Sequence, residues 1–163
     1  MGTKENELPS LIRTTEAIPD FVRCFYFEAR ITDCGKDGAI GIGLTTRHTD
    51  RELMPGWSEG TVGYHGDDGG IFQENAMLLG EAAETFTTHD VVSCRVKRVQ
   101  VDESNFYNVI QFGKNGTIVG SPRYIKNSEL YPTIGIHTPG GKVETNLGER
   151  PFAYTLKGNI MQQ

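Results

Sequence analysis

Apolar and polar residues alternate along several short stretches of the chain, most clearly in CFYFEARI at residues 24–31. Phe25, Phe27, Ala29 and Ile31 fall on one side of an extended chain, and the residues between them fall on the other. A period of two residues is typical of a strand with one buried face. The sequence CGKDG that follows is rich in turn residues, so the strand is predicted to end there.

Similar stretches recur at intervals of roughly ten residues, a rhythm typical of all-β sandwiches and barrels. The further predicted strands are AIGIGL, TVGY, IFQE, DVVSCRVKRVQVD, FYNVIQFG, TIVG, LYPTIGIHT and one within PGGKVETNLG. HGDDGG is predicted as a tight turn, and Lys114-Asn115-Gly116 as a hairpin turn, because Asn-Gly is the strongest short hairpin signal. No window has a convincing helical period. The best candidate, QENAMLLGEAAETF, is predicted as one short helix or a loop.

Composition fits one domain with its own core, since the chain has 163 residues of which 37% are hydrophobic. The formal net charge of −5 argues against sequence-independent nucleic-acid binding, which requires clustered lysine and arginine. The densest basic cluster is Arg95, Lys97 and Arg98. It lies in an alternating stretch, so we interpret it as the solvent-facing side of a strand.

The three cysteines, Cys24, Cys34 and Cys94, are odd in number, widely spaced and without a CxxC pair. This pattern favours free thiols in a reducing compartment and predicts a cytoplasmic or nuclear location. The first ten residues lack the apolar segment of a signal peptide. No apolar run approaches the ~20 residues of a membrane helix, so membrane insertion is not expected.

The stretch GYHGDDGG contains the best candidates for metal ligands, His65, Asp67 and Asp68. It lacks the alternating oxygen ligands and closing glutamate of an EF-hand loop. Asp and Gly together are also what a tight hairpin turn requires. We therefore interpret the stretch as a turn, and we expect no metal and no cofactor. No G-x-S-x-G motif or local nucleophile–base pair is present, so the sequence favours a binding module over an enzyme.

The predicted loops carry aromatic and histidine side chains that could line a pocket for a short extended peptide. Trp57 follows Pro-Gly and could equally be a buried anchor of its turn. The residues of this kind are Trp57, Tyr64, His65, Phe72, Tyr124, His137 and Pro139.

A series of motifs along the chain resembles the SPRY domain. The motifs occur in the order PSLIRTTEAIP, FYFEARI, GAIGIGL, MPGWSEGTVGYHGDDGGIF, TFTTHDVVSCRV, IQFGKNGTIVG and LYPTIGIHTPGGKVETNLGERPFAY. PGW, GYHGDDG, FGKNG, YPTIGI and NLGERPF are most similar to the branch that contains Ran-binding protein in the microtubule-organising centre. The resemblance implies a SPRY domain at residues 9–157, with a polar N-terminal tail (1–8) and a C-terminal tail (158–163).

The resemblance implies a sandwich of two curved antiparallel sheets, of the concanavalin A-like jelly-roll type. It also implies a non-catalytic module that binds a partner protein or short peptide through loops at one edge of the sandwich. Arg51 and Met54 lie in a loop that could join this site. The residues that the resemblance nominates are Arg13, Thr15, Glu16, Tyr64, Phe72, His137, Thr138 and Pro139.

Several roles fit such a module. The branch resemblance favours an adaptor or substrate-recruiting part of a CTLH/GID-like ubiquitin-ligase scaffold. The alternatives are a scaffold in a chromatin or membrane-trafficking complex and, from a different class, a lectin-like sandwich that binds a small ligand. The isolated domain is expected to be monomeric.

Overall fold

The computed structural model describes residues 10–74, 81–126 and 129–154. It is an all-β fold of two antiparallel sheets, as the alternating pattern predicted. The six-stranded sheet has the order β1-β10-β3-β4-β5-β6, and the five-stranded sheet has the order β11-β2-β7-β8-β9. The strands are β1 Ser10–Arg13, β2 Cys24–Asp33, β3 Ile40–Thr45, β4 Val62–His65, β5 Gly70–Gln73, β6 Glu81–Ala82, β7 Val91–Gln100, β8 Phe106–Lys114, β9 Thr117–Lys126, β10 Tyr131–Ile136 and β11 Lys142–Asn146.

The core lies between the two sheets and is filled by alternate residues of the central strands. Phe27, Ala29 and Ile31 of β2 are almost fully buried, as the pattern of residues 24–31 predicted. They pack in one cluster with side chains of the other sheet, among them Ile42 and Tyr64. Burial of such side chains supplies most of the stabilisation of a domain this size.

The two hairpin turns that the sequence predicted are present. Asn115 and Gly116 have positive φ angles of 49° and 83°, the conformation that a two-residue hairpin turn requires. Lys114 pairs with Thr117 on either side of them. In the second turn, the Asp68 carboxylate accepts the Gly70 N–H at 2.7 Å, so this side chain stabilises its own turn.

The stretch QENAMLLGEAAETF was predicted as a short helix or a loop. Residues 75–80 lie outside the described part of the chain, and Glu81–Ala82 form the short strand β6. The Glu81 carboxylate accepts the Ser121 N–H of β9 at 2.9 Å and lies 3.2 Å from Arg123. Glu81 therefore joins the two sheets along one side of the sandwich.

The basic cluster of β7 is divided between the two faces of its sheet. Arg95 and Lys97 alternate with the core residues Cys94 and Val96 and point outward, as predicted. Arg98 points the other way: its side chain is 10% exposed and donates to the Asp20 carbonyl. The interpretation of all three as a solvent-facing set was wrong for Arg98, since a period of two cannot put consecutive residues on one face.

A strap of residues 147–154 crosses the outer face of the five-stranded sheet next to β2. The Ala153 N–H donates to the Glu28 carboxylate at 2.7 Å, and the Phe152 ring meets Tyr26 edge-on at 4.6 Å. Glu28 is only 5% exposed although it points away from the core, because the strap covers it. Among the described residues, no helix is long and apolar enough to span a membrane.

Candidate functional site

A long loop, residues 46–61, lies against the outer face of the six-stranded sheet; we call it the covering loop. Three strand glycines leave room for it. A Cβ on Gly63 would lie 2.1 Å from the Pro55 carbonyl oxygen, and one on Gly135 would lie 2.7 Å from the Met54 sulfur. A Cβ on Gly41 would lie 2.8 Å from the end of the same methionine. Close approach of two backbones is a common reason for glycine within a strand.

Arg13, at the end of the edge strand β1, holds the start of the covering loop. Its guanidinium donates to the carbonyl oxygens of Thr46 and Arg47 at 2.7 and 3.2 Å. The same group lies 4.8 Å from the centre of the Tyr131 ring, a favourable cation–π arrangement. Arg13 is therefore engaged within the protein, and it fixes the position of the loop.

Trp57 holds the other end of the covering loop through an aromatic cluster. Its ring meets His65, Phe72 and His137 edge-on, at centroid distances of 5.5, 6.2 and 5.9 Å. His65 stacks on Phe72 at 4.5 Å. Of the two roles that the sequence left open for Trp57, the structure shows packing.

The two histidines of this cluster are in apolar surroundings. Burial lowers the pKa of His65, and the hydrogen bond to the Pro55 carbonyl and the Asp68 and Asp67 carboxylates only partly oppose it. Burial is also the main cause of the lowered pKa of His137, followed by the neighbouring His65. Because a carbonyl can only accept, Nε2 of His65 carries the proton that it donates to the Pro55 carbonyl over 2.8 Å.

We predict that acid will weaken the fold through these two histidines. A histidine with a lowered folded-state pKa binds its proton more readily in the unfolded chain, so stability falls as the pH drops below the unfolded value of about 6.5. Thermal unfolding should show a decreasing Tm between about pH 7 and pH 5. The His65→Gln/His137→Gln variant should show a flatter profile over this range. An unchanged slope in that variant would assign the acid sensitivity to other groups.

His65, Asp67 and Asp68 do lie close together, with one ligating atom of each within 4.8 Å of the others. The two carboxylates are exposed, and Asp68 is already used in the turn. That this site binds no metal stays a prediction.

A polar groove opens beside the start of the covering loop, with a volume of about 610 Å³. The Arg47–Glu129 ion pair, 2.8 Å long, closes one side of it. Both side chains are more than half exposed, so the pair contributes little to stability and is available to a ligand. The groove is lined by Thr46, Arg47, His48, Thr49, Ser58, Glu59, Gly60 and Glu129.

The nominated residues fall into three groups. Thr15 and Glu16 are exposed just beyond Arg13, at the end of β10 that begins with Tyr131. Pro139 is exposed, and His137 partly exposed, beyond the opposite end of β10. Arg13 pairs with Thr133 of β10, and His137 follows Thr133 by four residues. Four residues of an extended strand span about 13 Å, so Arg13 and His137 lie about that far apart along the strand direction.

The third group is buried. Tyr64 has no exposed surface, donates to the Glu84 carbonyl, and packs against Phe86 at 4.9 Å. Phe72 and Thr138 are 6% and 5% exposed, and the Thr138 hydroxyl accepts the Asp37 N–H. These three side chains support the loops rather than present themselves to a partner. Met54, proposed as an addition, is likewise 2% exposed, whereas Arg51 is exposed.

Sequence reasoning missed the residues of the polar groove. Arg47 and His48 are exposed in the covering loop, and Glu129 approaches from just before β10. The available signal was the polar run TTRHTDRE between two strands, since a long polar connection in a compact domain is frequently functional.

The geometry and the motifs are those of a known class of interaction domain. A family model described as the SPRY domain matches residues 24–150, and the chain belongs to this family. Strand β1 precedes the matched residues but pairs with β10, so the sheet extends beyond them. The domain limits predicted at residues 9 and 157 lie outside the described residues.

Within the family, the chain is similar to Ran-binding proteins of animals and plants. It is 36% identical to the Ran-binding proteins 9/10 homolog of Drosophila melanogaster over 98% of this chain and 16% of that protein. It is 36% identical to human Ran-binding protein 9 over 90% of this chain and 19% of that protein. It is 35% identical to the Ran-binding protein M homolog of Arabidopsis thaliana over 86% of this chain and 29% of that protein. The chain thus spans less than a third of the length of these relatives.

Two solved structures have the same fold. A human SPRY domain superposes with a TM-score of 0.74 at 26% identity, covering 88% of this chain and 87% of that one. The SPRY domain of human HERC1 superposes with a TM-score of 0.60 at 17% identity, covering 88% of this chain and 85% of that one. The sandwich fold inferred from the sequence is confirmed.

Proposed function

We propose that this chain is a non-catalytic module that binds a short segment of a partner protein across the covering loop. The observation that carries the proposal is the position of the exposed nominated residues. Thr15 and Glu16 flank one end of the loop, and His137 and Pro139 flank the other. The distance from the register position of Arg13 to His137, about 13 Å, corresponds to roughly four residues of an extended peptide, and a ligand that also reaches Thr15 and Glu16 is longer.

The loop between these two groups is held from both ends, which favours binding. Arg13 fixes its first residues and the Trp57 cluster fixes its last. A preformed surface loses little conformational entropy when a ligand binds. The exposed Arg51 and the groove at Arg47 supply charged and hydrogen-bonding groups along the path.

The resemblance to the branch of Ran-binding protein in the microtubule-organising centre supports a particular setting. We propose that the module is an adaptor or substrate-recruiting part of a CTLH/GID-like ubiquitin-ligase scaffold in the cytoplasm or nucleus, and that the isolated domain is monomeric. Affinity purification from the native cell, followed by mass spectrometry, tests this. Recovery of ligase subunits would support the setting, whereas recovery of a chromatin or trafficking complex without them would contradict it.

The loop site itself is tested with peptides selected from a phage-displayed random library against the full chain. We expect the Thr15→Ala/Glu16→Ala and His137→Ala variants each to bind the selected peptide about tenfold more weakly, because a few central contacts carry most binding energy. Isothermal titration calorimetry measures both affinities, and the Tm of each variant shows whether the fold is intact.

A matched control is Glu103→Ala/Thr117→Ala, two exposed positions in the β7–β8 and β8–β9 turns of the five-stranded sheet. This variant should bind as the unaltered chain does. Equal affinity of the peptide for the unaltered chain, the two site variants and the control would contradict the loop site. The peptide would then bind elsewhere on the domain.

A further inference from the structure

Among the described residues, carboxylates outnumber cations on and around the covering loop. Of the cations, Arg13 is engaged by carbonyl oxygens of the loop, and Arg47 is paired with Glu129 over 2.8 Å. Arg51 is exposed. The exposed carboxylates here, besides that of Glu129, are those of Glu16, Asp50, Glu52, Glu59, Asp67 and Asp68. Because carboxylates are ionised at neutral pH, this surface has a net negative charge.

Asp67 brings one of these carboxylates to the end of the site that contains His137. The Gly66 N–H donates to the Ile40 carbonyl at 2.8 Å. On the other side of this segment, the His137 N–H donates to the Ala39 carbonyl, also at 2.8 Å. Gly66 and His137 therefore flank the same short segment, and Asp67 follows Gly66 directly. The Asp67 carboxylate is exposed and, in the part of the chain that the structure describes, accepts no hydrogen bond.

Two ring nitrogens at this end are a second feature that points to a ligand. Nε1 of Trp57 and Nε2 of His137 are buried and have no hydrogen-bond partner among the described residues, although both residues retain exposed surface. An indole nitrogen can only donate, which suits a carbonyl of a bound segment. Nε2 of a histidine accepts when Nδ1 carries the proton, which suits an ammonium or guanidinium group. Burial and then His65 lower the pKa of His137, and the Asp67 carboxylate opposes them, so Asp67 lies within electrostatic reach of the ring.

The rest of the path also favours a cationic segment. Glu16 lies at the opposite end of the site and is exposed, and neither it nor Glu52 of the covering loop has an ion-pair partner among the described residues. Arg51 adjoins Glu52, so the charge in the middle of the path is partly offset. Lys36 and Asp37 lie beside the His137 end, and their charges offset each other. A basic segment is therefore attracted at both ends, and the net charge of −5 adds attraction at longer range.

We propose that the partner segment bound across the covering loop is basic. Its lysine or arginine side chains pair with Glu16 at one end of the loop and with Asp67 at the other, where Trp57 and His137 supply a donor and an acceptor. This inference rests on the proposed function, because it names the chemistry of the segment held at that same site. It excludes a segment rich in aspartate and glutamate, which the surface repels.

The probe is a fluorescein-labelled peptide of alternating lysine and threonine, titrated with the full chain and followed by fluorescence anisotropy. We expect saturable binding that weakens as salt is added, because the charges are exposed. A second peptide, with glutamine in place of lysine, should bind at least about tenfold more weakly. Equal binding of the two peptides would overturn the proposal.

Neutral replacements of similar shape locate the site on the protein. Glu16→Gln/Asp67→Asn should weaken binding of the lysine peptide about tenfold or more, whereas Arg51→Gln should strengthen it by removing repulsion. The control Glu103→Gln/Glu144→Gln makes the same change in net charge as the first variant, at exposed positions of the five-stranded sheet and its turns, and should have little effect. An equal loss in the control would show attraction to net charge only and would contradict the proposal.

Failure of this inference and failure of the loop site give different results. Peptides selected from the random library against the full chain should be enriched in lysine and arginine and depleted of aspartate and glutamate. Selected peptides that protect the covering loop from hydrogen–deuterium exchange without that enrichment would overturn this inference and leave the loop site standing. If the selected peptides and the lysine peptide protect only the five-stranded sheet, both proposals are wrong.

Discussion

Replacing Tyr64 with alanine will lower the free energy of unfolding by about 3–5 kcal/mol, the range found for large buried aromatic residues. The Tyr64 side chain has no exposed surface and packs against Phe86 and Phe112, with ring centroids 4.9 and 5.9 Å away. Alanine leaves a cavity between the sheets and removes the donor to the Glu84 carbonyl. A change of this size could leave much of a marginally stable domain unfolded. Urea unfolding followed by intrinsic fluorescence measures it.

The conservative variant Tyr64→Phe separates packing from recognition. It keeps the ring and loses only the hydroxyl, so it should cost about 1 kcal/mol of stability. The affinity of a library-selected peptide should be unchanged, because Tyr64 has no surface to offer it. If Tyr64→Phe kept its stability but lost the peptide, the assignment of Tyr64 to the core would be wrong for the bound state.

Replacing Gly63 with alanine will displace the covering loop and lower the free energy of unfolding by about 1–3 kcal/mol. The new Cβ would lie 2.1 Å from the Pro55 carbonyl oxygen and 2.7 Å from the carbonyl carbon. Both atoms belong to the backbone, so the steric clash is relieved only if the loop moves. Because the loop is the proposed binding surface, the folded variant should also lose most of its affinity for the selected peptide.

Gly41→Ala is the matched control for Gly63→Ala. It makes the same change on the neighbouring strand, but the new Cβ meets the flexible end of Met54 at 2.8 Å and the His65 ring at 3.0 Å. A methionine end can change rotamer, so the cost should be smaller and the loop should stay in place. Calorimetry of peptide binding, with urea unfolding of both variants, makes the comparison. Equal peptide affinities in the two variants would contradict the role given to loop position.

Most of the strands could be predicted from the sequence, because each has its own period of two and its own turn residues. Asn115-Gly116 determines the hairpin between β8 and β9 through two positive φ angles, a purely local effect. The strand pairings β1–β10 and β2–β7 join residues far apart in the sequence, so no local pattern predicted them.

The candidate site was less predictable, because burial depends on what crosses each sheet. Tyr64 and His65 are adjacent and must point to opposite faces, yet both are nearly fully buried, one in the core and the other beneath the covering loop. Glu28 is buried for a similar reason, under the strap. No local pattern reveals a loop that returns over an outer face, so residues there were expected to be exposed. Arg13 was predicted to bind a partner, and in the structure its guanidinium donates to the carbonyl oxygens of Thr46 and Arg47.

Hydrogen–deuterium exchange of the full chain, with and without a library-selected peptide, tests the central claim most directly. We predict that bound peptide will protect residues 13–16, the covering loop from Thr46 to Trp57, and the segment His137–Pro139, and will leave β9 unchanged. Protection confined to other parts of the sandwich, with these three segments exchanging as in the free protein, would contradict the proposed loop site.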